Sequence, residues 1–408
     1  MLRTISHAAA IALFAFAATT SSEAADAAFQ QWLAAQWPAA QAMGVSRATF
    51  DAATRGLEPD LSLPDLAIPG QAEKAPQQPE FVQTPSQYLR ETSFDRLATR
   101  GKQLAAQYRD TLARIEKEFG VPGSVVLAIW GRETDYGGYQ LPNDAIRVLA
   151  TQAYVGKRKE FFHNEFLHVL KMLQDGVPRS DLRSSWGGAM GLTQFLPSEY
   201  FKYAVDFDGD GRADIWRSVP DALASAAKQL VGKGWRPGES WAIEVRAPAN
   251  ADCSIGMPEV TKPVGAWLKA GFTPTNGRKL SAAELAYDAS LLQPEGSYGP
   301  SFLTPKNYFV LKDYNFSDLY VLFVGHLSDR ISGGRQFETP WSKNAQLKTT
   351  DVELMQKRLT ALGLYKDKID GKAGMLTRAA LGAYQKPAGI KVDCWPSEAV
   401  LQSMSAAR

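Results

Sequence analysis

The sequence predicts a mainly α protein, a large helical body followed by a small three-helix module. Three observations carry this. Apolar residues recur with a period near 3.6 through most of the chain before Trp241. Alternating, strand-like patterns are scarce over the same span. Near Gly333 the composition shifts through a polar, Gly/Pro-containing stretch into a second, shorter set of helical patterns. With 408 residues, 45% hydrophobic and 22% charged, the chain has the length for two or three domains and the apolar content for a large core. The net charge of +2 is too small to argue for nucleic acid as a partner, and it is compatible with a weakly anionic polymer.

Taken in order, the first 25 residues read as a secretory signal peptide. Arg3 and His7 precede the apolar run Ala8 to Ala18, followed by small polar residues and a cleavage site near Ala24 or Ala25. The run is too short for a membrane span, which needs about 20 residues. The region has no cysteine to carry a lipid, so an exported protein without a stable membrane anchor is expected. Ala28 to Leu57 is helical in pattern, with Phe29, Trp32, Leu33, Trp37, Phe50 and Ala53 on the apolar face. Pro59 to Pro85, with Pro64, Pro69, Pro76 and Pro79, reads as an extended arm, because proline removes donors and restricts its predecessor. Leu61, Leu63, Leu66, Ile68 and Phe81 predict that the arm packs along a neighbour. Ser93 to Gly120, Glu160 to Leu173 and Asp221 to Gly232 are helical, and Trp241 to Val245 with Leu311 to Tyr314 reads as a short strand pair.

Ser332 to Ser342, with Gly333, Gly334 and Pro340, reads as a linker. Helices are expected at Val352 to Leu362, Leu376 to Gln385 and Ser397 to Met404; about sixty residues make a marginal but viable core. The expected division is a signal peptide over 1–25, a body over 26–338, a linker over 339–349 and a module over 350–408. The two cysteines, Cys253 and Cys394, then fall in different domains. An exported chain permits a bridge, and spacing alone does not decide whether the two approach within bonding range.

Three motifs carry chemistry. In AIWGRETDYG (Ala128 to Gly137), Glu133 ends an apolar helix beside Trp130 and Tyr136. Desolvation there would raise a carboxyl from about 4.3 toward about 6, a shift of roughly 2 kcal/mol and the range of a sugar-cleaving general acid; a structural cap is the plainer alternative. In SWGGAMGLTQFLPSEY (Ser185 to Tyr200), Gly187, Gly188 and Gly191 permit close backbone approach, and Thr193 and Gln194 sit beside Phe195. Such a turn suits a sugar cleft or, alternatively, a helix crossing. In DFDGDGRADIW (Asp206 to Trp216), Asp206, Asp208 and Asp210 alternate ahead of Gly211, as at the start of an EF-hand calcium loop. The twelfth position is Arg217 and not Glu, and a solvated acidic turn is the alternative.

The first two blocks, in this order and with VLATQAYVGKRKEFFHNEF (Val148 to Phe166) and YFVLKDYNFSDLYVLFVGHLSDRI (Tyr308 to Ile331), resemble the lytic murein transglycosylases of the B type over nearly the whole exported chain. The resemblance implies a lysozyme-like α fold that cleaves the MurNAc–GlcNAc β-1,4 bond of peptidoglycan without water. Glu133 matches the single catalytic acid, which protonates the glycosidic oxygen and then takes the C6 hydroxyl proton, leaving 1,6-anhydro-MurNAc. Two-carboxylate hydrolysis is the usual arrangement; an intramolecular nucleophile of high effective concentration replaces the second acid and the water. Asp135 stands where the family often has Asn. Ser185, Met190, Gln194, Phe195, Tyr308 and Tyr314 match cleft residues, with Gln194 expected on the substrate and Tyr314 near Glu133. A structural calcium is implied at Asp206, Asp208, Asp210, the Arg212 carbonyl and Asp221, and no other cofactor.

The C-terminal residues LMQKRLTALGLYKDKIDGKAGMLTRAALGAYQ (Leu354 to Gln385) resemble the peptidoglycan-binding domain 1 family, with Asp393-Cys394 where that family has Asp-Gly. The resemblance implies a periplasmic enzyme acting on peptidoglycan glycan strands, with cell-wall synthesis proteins as a further class of partner. A muramidase that admits water, and an inactive wall-binding protein on the same fold, are the alternatives.

Overall fold

A computed structural model describes residues 27–70, 83–342, 344 and 347–406. The expected signal peptide and residues 71–82 of the proline-rich arm lie outside them. The chain packs as two compact units. The first is drawn from residues 27–70 and Gly137–Ser225, the second from residues 83–136 and 226–406.

In the first unit, helices 27–35, Trp37–Ala42 and Arg47–Thr54 realise the early apolar pattern. Ser46 caps the last of them by accepting from the Thr49 amide. Phe29, Leu33 and Phe50 close a core with Phe162, Phe166 and Leu170, which lie on helix Lys159–Gln174. The described part of the arm, 59–70, has no helix and packs as expected on helix Ala145–Val155. Leu63 is buried. The Asp60 amide donates to Thr151 Oγ1 (2.9 Å), Gln152 Nε2 to the Pro64 carbonyl (2.9 Å), and the Ala67 amide to the Val155 carbonyl (2.7 Å). The arm thereby satisfies a carbonyl that the helix end leaves without an internal partner.

In the second unit, the single helical span expected over Ser93 to Gly120 is two helices, Glu91–Gln107 and Arg109–Phe119. They are broken at Tyr108 (φ −104°, ψ 25°). Both keep an apolar face inward, so the period runs through the break and conceals it. Helix Gly123–Thr134 buries Val125 to Trp130 without interruption, as a helix covered on every side must. It packs against Glu91–Gln107 and Asp318–Ile331.

The strand expectation is half right. Ile243–Arg246 is a strand of a five-stranded antiparallel sheet, in the order Lys262–Pro263, Asp288–Leu292, Ser301–Thr304, Ile243–Arg246, Thr273–Pro274. Its neighbours are Ser301–Thr304 and Thr273–Pro274, not Leu311 to Tyr314. Leu311 belongs to helix Lys306–Lys312, and the Leu311–Tyr314 spacing is a helical one.

The C-terminal helices are Thr349–Ala361, Met375–Gln385 and Glu398–Ala406. Two buried glutamines organise the turns between them. Gln356 Oε1 accepts from the Asp370 and Gly371 amides, and Gln385 Oε1 from the Asp393 and Cys394 amides. Cys394 stands at φ 55°, so it holds the left-handed backbone that glycine favours, and its side chain forms a disulfide with Cys253 across a Cα separation of 6.0 Å.

Around this bond the module is seated on the rest of the unit. Lys386 pairs with Asp252, and Tyr298 Oη donates to Asp393 Oδ2 (2.7 Å). A Cβ on Gly382 would lie 2.4 Å from Cys394 Sγ, so only glycine permits this approach. From Phe337 onward the Ser332 to Ser342 stretch packs as well. Phe337 stacks on His326 at 3.9 Å, and the Thr339 amide donates to Glu244 Oε1 (2.9 Å). Its aromatic residues, set among polar ones, convert a linker composition into a strap.

Candidate active site

Glu133 lies one residue before the C-terminus of the fully covered helix Gly123–Thr134 and is half-buried. The hydroxyl of Tyr320 donates to Glu133 Oε1 at 2.5 Å. Tyr320 is 1% exposed; burial first, and the Glu133 carboxylate next, push its phenol well above the ordinary range. The phenol therefore keeps its proton at any working pH and is the donor. Tyr314 stacks on Tyr320 with rings 6.4 Å apart and nearly parallel (7°). On the other side of Glu133 in sequence, the Arg132 guanidinium lies over the Tyr88 ring at 5.0 Å and donates to its hydroxyl through Nε at 2.9 Å.

The turn after Glu133 is held against its own preference. Asp135 (φ 52°) and Tyr136 (φ 57°) are both left-handed, at a cost of about 1–2 kcal/mol per residue. Tyr136 Oη donates to the Leu97 carbonyl (3.0 Å), and its ring meets Trp130 edge-on at 5.5 Å. Asp135, the rival acid, is exposed and paired with Arg96 at 2.8 Å. Gly131 makes this turn possible, since a Cβ there would sit 2.6 Å from Tyr136 Cζ. Alanine normally gains about 1 kcal/mol over glycine inside a helix, but overpacking against the ring costs about 1–3 kcal/mol. Gly131→Ala is therefore expected to be less stable in thermal unfolding and slower in turnover. A variant melting above the parent would show that the ring yields freely.

The glycine-rich block belongs to the first unit. Ser185 is half-buried, and its Oγ accepts from the Gly187 and Ala189 amides, both at 3.3 Å. Met190 and Phe195 exchange both backbone hydrogen bonds at 2.8 Å, closing a tight loop. Inside it, Gly191 (φ 74°) and Gln194 (φ 59°) are left-handed, and Gln194 Nε2 donates to the Gly191 carbonyl at 3.1 Å. Of the block's expected contact residues, Ser185 and Gln194 keep surface. Met190 and Phe195 keep none, both being 0% exposed, and this corrects their expected place on a substrate wall: their apolar side chains are core. Tyr308 is corrected in the same way. It is 0% exposed, and its hydroxyl donates to Asp318 Oδ1 at 2.7 Å.

Asp206, Asp208 and Asp210 bring carboxylate oxygens within 4.8 Å of one another on an exposed loop. Asp206 accepts from the Gly209, Asp210 and Gly211 amides. Among the described residues this group of three does not include Asp221. Asp221 is fully buried, and its carboxylate accepts from the Phe207, Asp208 and Asp214 amides, so it shapes the loop from beneath. The three clustered aspartates are the hard oxygen donors that calcium takes.

Sequence reading missed Tyr320 as a partner of Glu133. Its signal was a tyrosine within an apolar helical stretch, where a buried hydroxyl needs an acceptor. Its acceptor is 187 positions away.

Residues 28–329 match the family described as the transglycosylase SLT domain, and the chain belongs to that family. Residues 348–404 match a peptidoglycan binding domain. Among individual relatives, the chain is 31% identical over 236 residues to membrane-bound lytic murein transglycosylase B of Escherichia coli (strain K12), covering 56% of this chain and 62% of that protein. It is similar, at 38% identity and a TM-score of 0.83, to SltB3 of Pseudomonas aeruginosa solved in complex with NAG-anhNAM-pentapeptide, over 92% of this chain and 99% of that one. The Escherichia coli lytic transglycosylase Slt35, solved in complex with calcium, is 29% identical with a TM-score of 0.52, over 61% of this chain and 80% of that one.

Proposed function

We propose that the protein is a periplasmic lytic transglycosylase that cleaves the MurNAc–GlcNAc β-1,4 bond of peptidoglycan and leaves 1,6-anhydro-MurNAc ends. The observation that carries this reading is the half-buried Glu133 held by the hydroxyl of Tyr320. Glu133 first gives its proton to the glycosidic oxygen. It then accepts the proton of the MurNAc C6 hydroxyl as that oxygen attacks C1, so one carboxylate serves both halves of the reaction. Tyr320 fixes the carboxylate's orientation in each half. Asp135, the nearest acid in sequence, is exposed and paired with Arg96, which leaves it a poor second carboxylate for hydrolysis. The structures of SltB3 with NAG-anhNAM-pentapeptide and with NAG-NAM-pentapeptide support the substrate class.

Within the first unit substrate contacts are assigned to Gln194 and Ser185, within the second to Tyr314, and anchoring on the glycan–peptide mesh to the C-terminal module. Digestion of purified sacculi followed by mass analysis of the released muropeptides tests the reading. Ends lighter by one water are expected; reducing ends would establish a muramidase, and no release a binding protein.

A structural calcium at Asp206, Asp208 and Asp210 belongs to the same reading. The ion would neutralise three clustered carboxylates and brace the loop. Added calcium is expected to raise the melting temperature, and Asp208→Ala to remove the rise. An unchanged melt of the parent protein would argue against the ion.

A further inference from the structure

We propose that the C-terminal module is a working part of the catalytic centre, in which Arg378, acting through Asp318, positions Tyr320 against Glu133. The inference rests on the reading of Glu133 as the acid and base. Arg378 lies on the module helix Met375–Gln385, with its Nη2 3.0 Å from Asp318 Oδ2. Both side chains are almost wholly buried, at 8% and 9% exposure. The other oxygen of Asp318 accepts from Tyr308 Oη at 2.7 Å and Lys312 Nζ at 2.5 Å. Although burial disfavours the charge, Lys312 and Arg378 hold the Asp318 carboxyl well below the ordinary range, so it is an anion gripped from two sides.

Asp318 is the first residue of helix Asp318–Ile331, two residues before Tyr320. The first amides of any helix lack internal partners, and a capping side chain normally fixes that turn. Here the N-cap, Ser317, makes no side-chain cap bond. The position of the first turn is set by the buried cluster on Asp318, whose anion also suits the positive end of the helix dipole. Arg378 has no slack of its own. Its second nitrogen donates to the Ala373 carbonyl, and its helix is seated against Ser254 beside the Cys253–Cys394 bond. The path from the module to the acid is therefore Arg378, Asp318, Tyr320, Glu133. It holds the hydroxyl in register, and a shift of about 1 Å at a catalytic group is enough to lose turnover.

The experiment uses the full-length protein and soluble glycan strands released from sacculi, so that wall anchoring is removed from the measurement. Arg378→Met is expected to lower kcat roughly tenfold or more, with KM held within roughly twofold. Arg378→Lys, which restores the charge, should recover part of kcat. Lys386→Met, which removes an exposed contact of the same module with Asp252, should keep the parent kcat. A parent-like kcat with raised KM in Arg378→Met overturns the proposal, as does an equal loss in Arg378→Met and Lys386→Met.

Thermal unfolding of the parent, Arg378→Met, Tyr320→Phe and the double variant supplies a readout that needs no activity. Non-additive effects are expected; additive ones, as for independent sites, overturn the positioning role. If the parent cleaves nothing, the enzymatic reading has failed, and this cycle still decides whether Arg378 and Tyr320 are coupled.

Discussion

Glu133→Gln is expected to lose cleavage of sacculi by roughly a thousand- to ten-thousandfold while binding to the wall is retained. Glutamine keeps the volume and an acceptor for the Tyr320 hydroxyl, so the helix end and the Trp130–Tyr136 packing should survive. What it removes is the exchangeable proton, and it removes it from both halves of the reaction at once. The loss should therefore lie in kcat, with co-sedimentation on sacculi unchanged. Retained turnover would reject Glu133 as the acid. The next test would then be Asp135→Asn, whose predicted effect is small because an exposed pair such as Arg96–Asp135 contributes only about 0–1 kcal/mol.

The second large effect concerns stability. Cys253→Ser combined with Cys394→Ser opens a covalent loop spanning 141 residues of sequence. In the chain-entropy account a loop of that length stabilises the folded protein by about 5 kcal/mol. For a unit of this size that corresponds to a melting temperature lower by roughly 10 °C or more. Reduction of the parent protein should reproduce the shift. The remaining seam contacts, among them Lys386 with Asp252, Tyr298 with Asp393 and the buried Arg378–Asp318 pair, are non-covalent and leave the unfolded chain unconstrained, so they do not replace the bond. An unchanged melt after verified reduction would mean that the seam holds by packing alone.

The sequence carried the local features well. Helices with a strong apolar period, such as Lys159–Gln174 and the three of the C-terminal module, lie where their spacing put them. The arm over 59–70 is extended because its prolines allow little else. Glu133 stood out because an acid at the end of an uninterrupted apolar helix is itself a local anomaly. Errors arose where two outcomes share one pattern. The break at Tyr108 left the apolar phase intact, and the Leu311–Tyr314 spacing was read with the wrong period. Met190, Phe195 and Tyr308 have side chains that serve a cleft or a core equally well, and only burial separates the two.

By itself, then, the sequence determined the helical class, the glutamate closing an uninterrupted apolar helix at position 133 and the acidic loop at Asp206 to Asp210, all of which follow from residues close together along the chain. The tertiary structure alone decided that Tyr320 donates to Glu133, that Asp221 accepts from the Phe207, Asp208 and Asp214 amides, that Cys253 meets Cys394, and that Arg378 grips Asp318. The physical reason is the same in each case. A buried hydroxyl, carboxylate or guanidinium must find a partner when water is withdrawn, and which partner it meets is fixed by packing between segments tens to hundreds of residues apart, which no local pattern encodes.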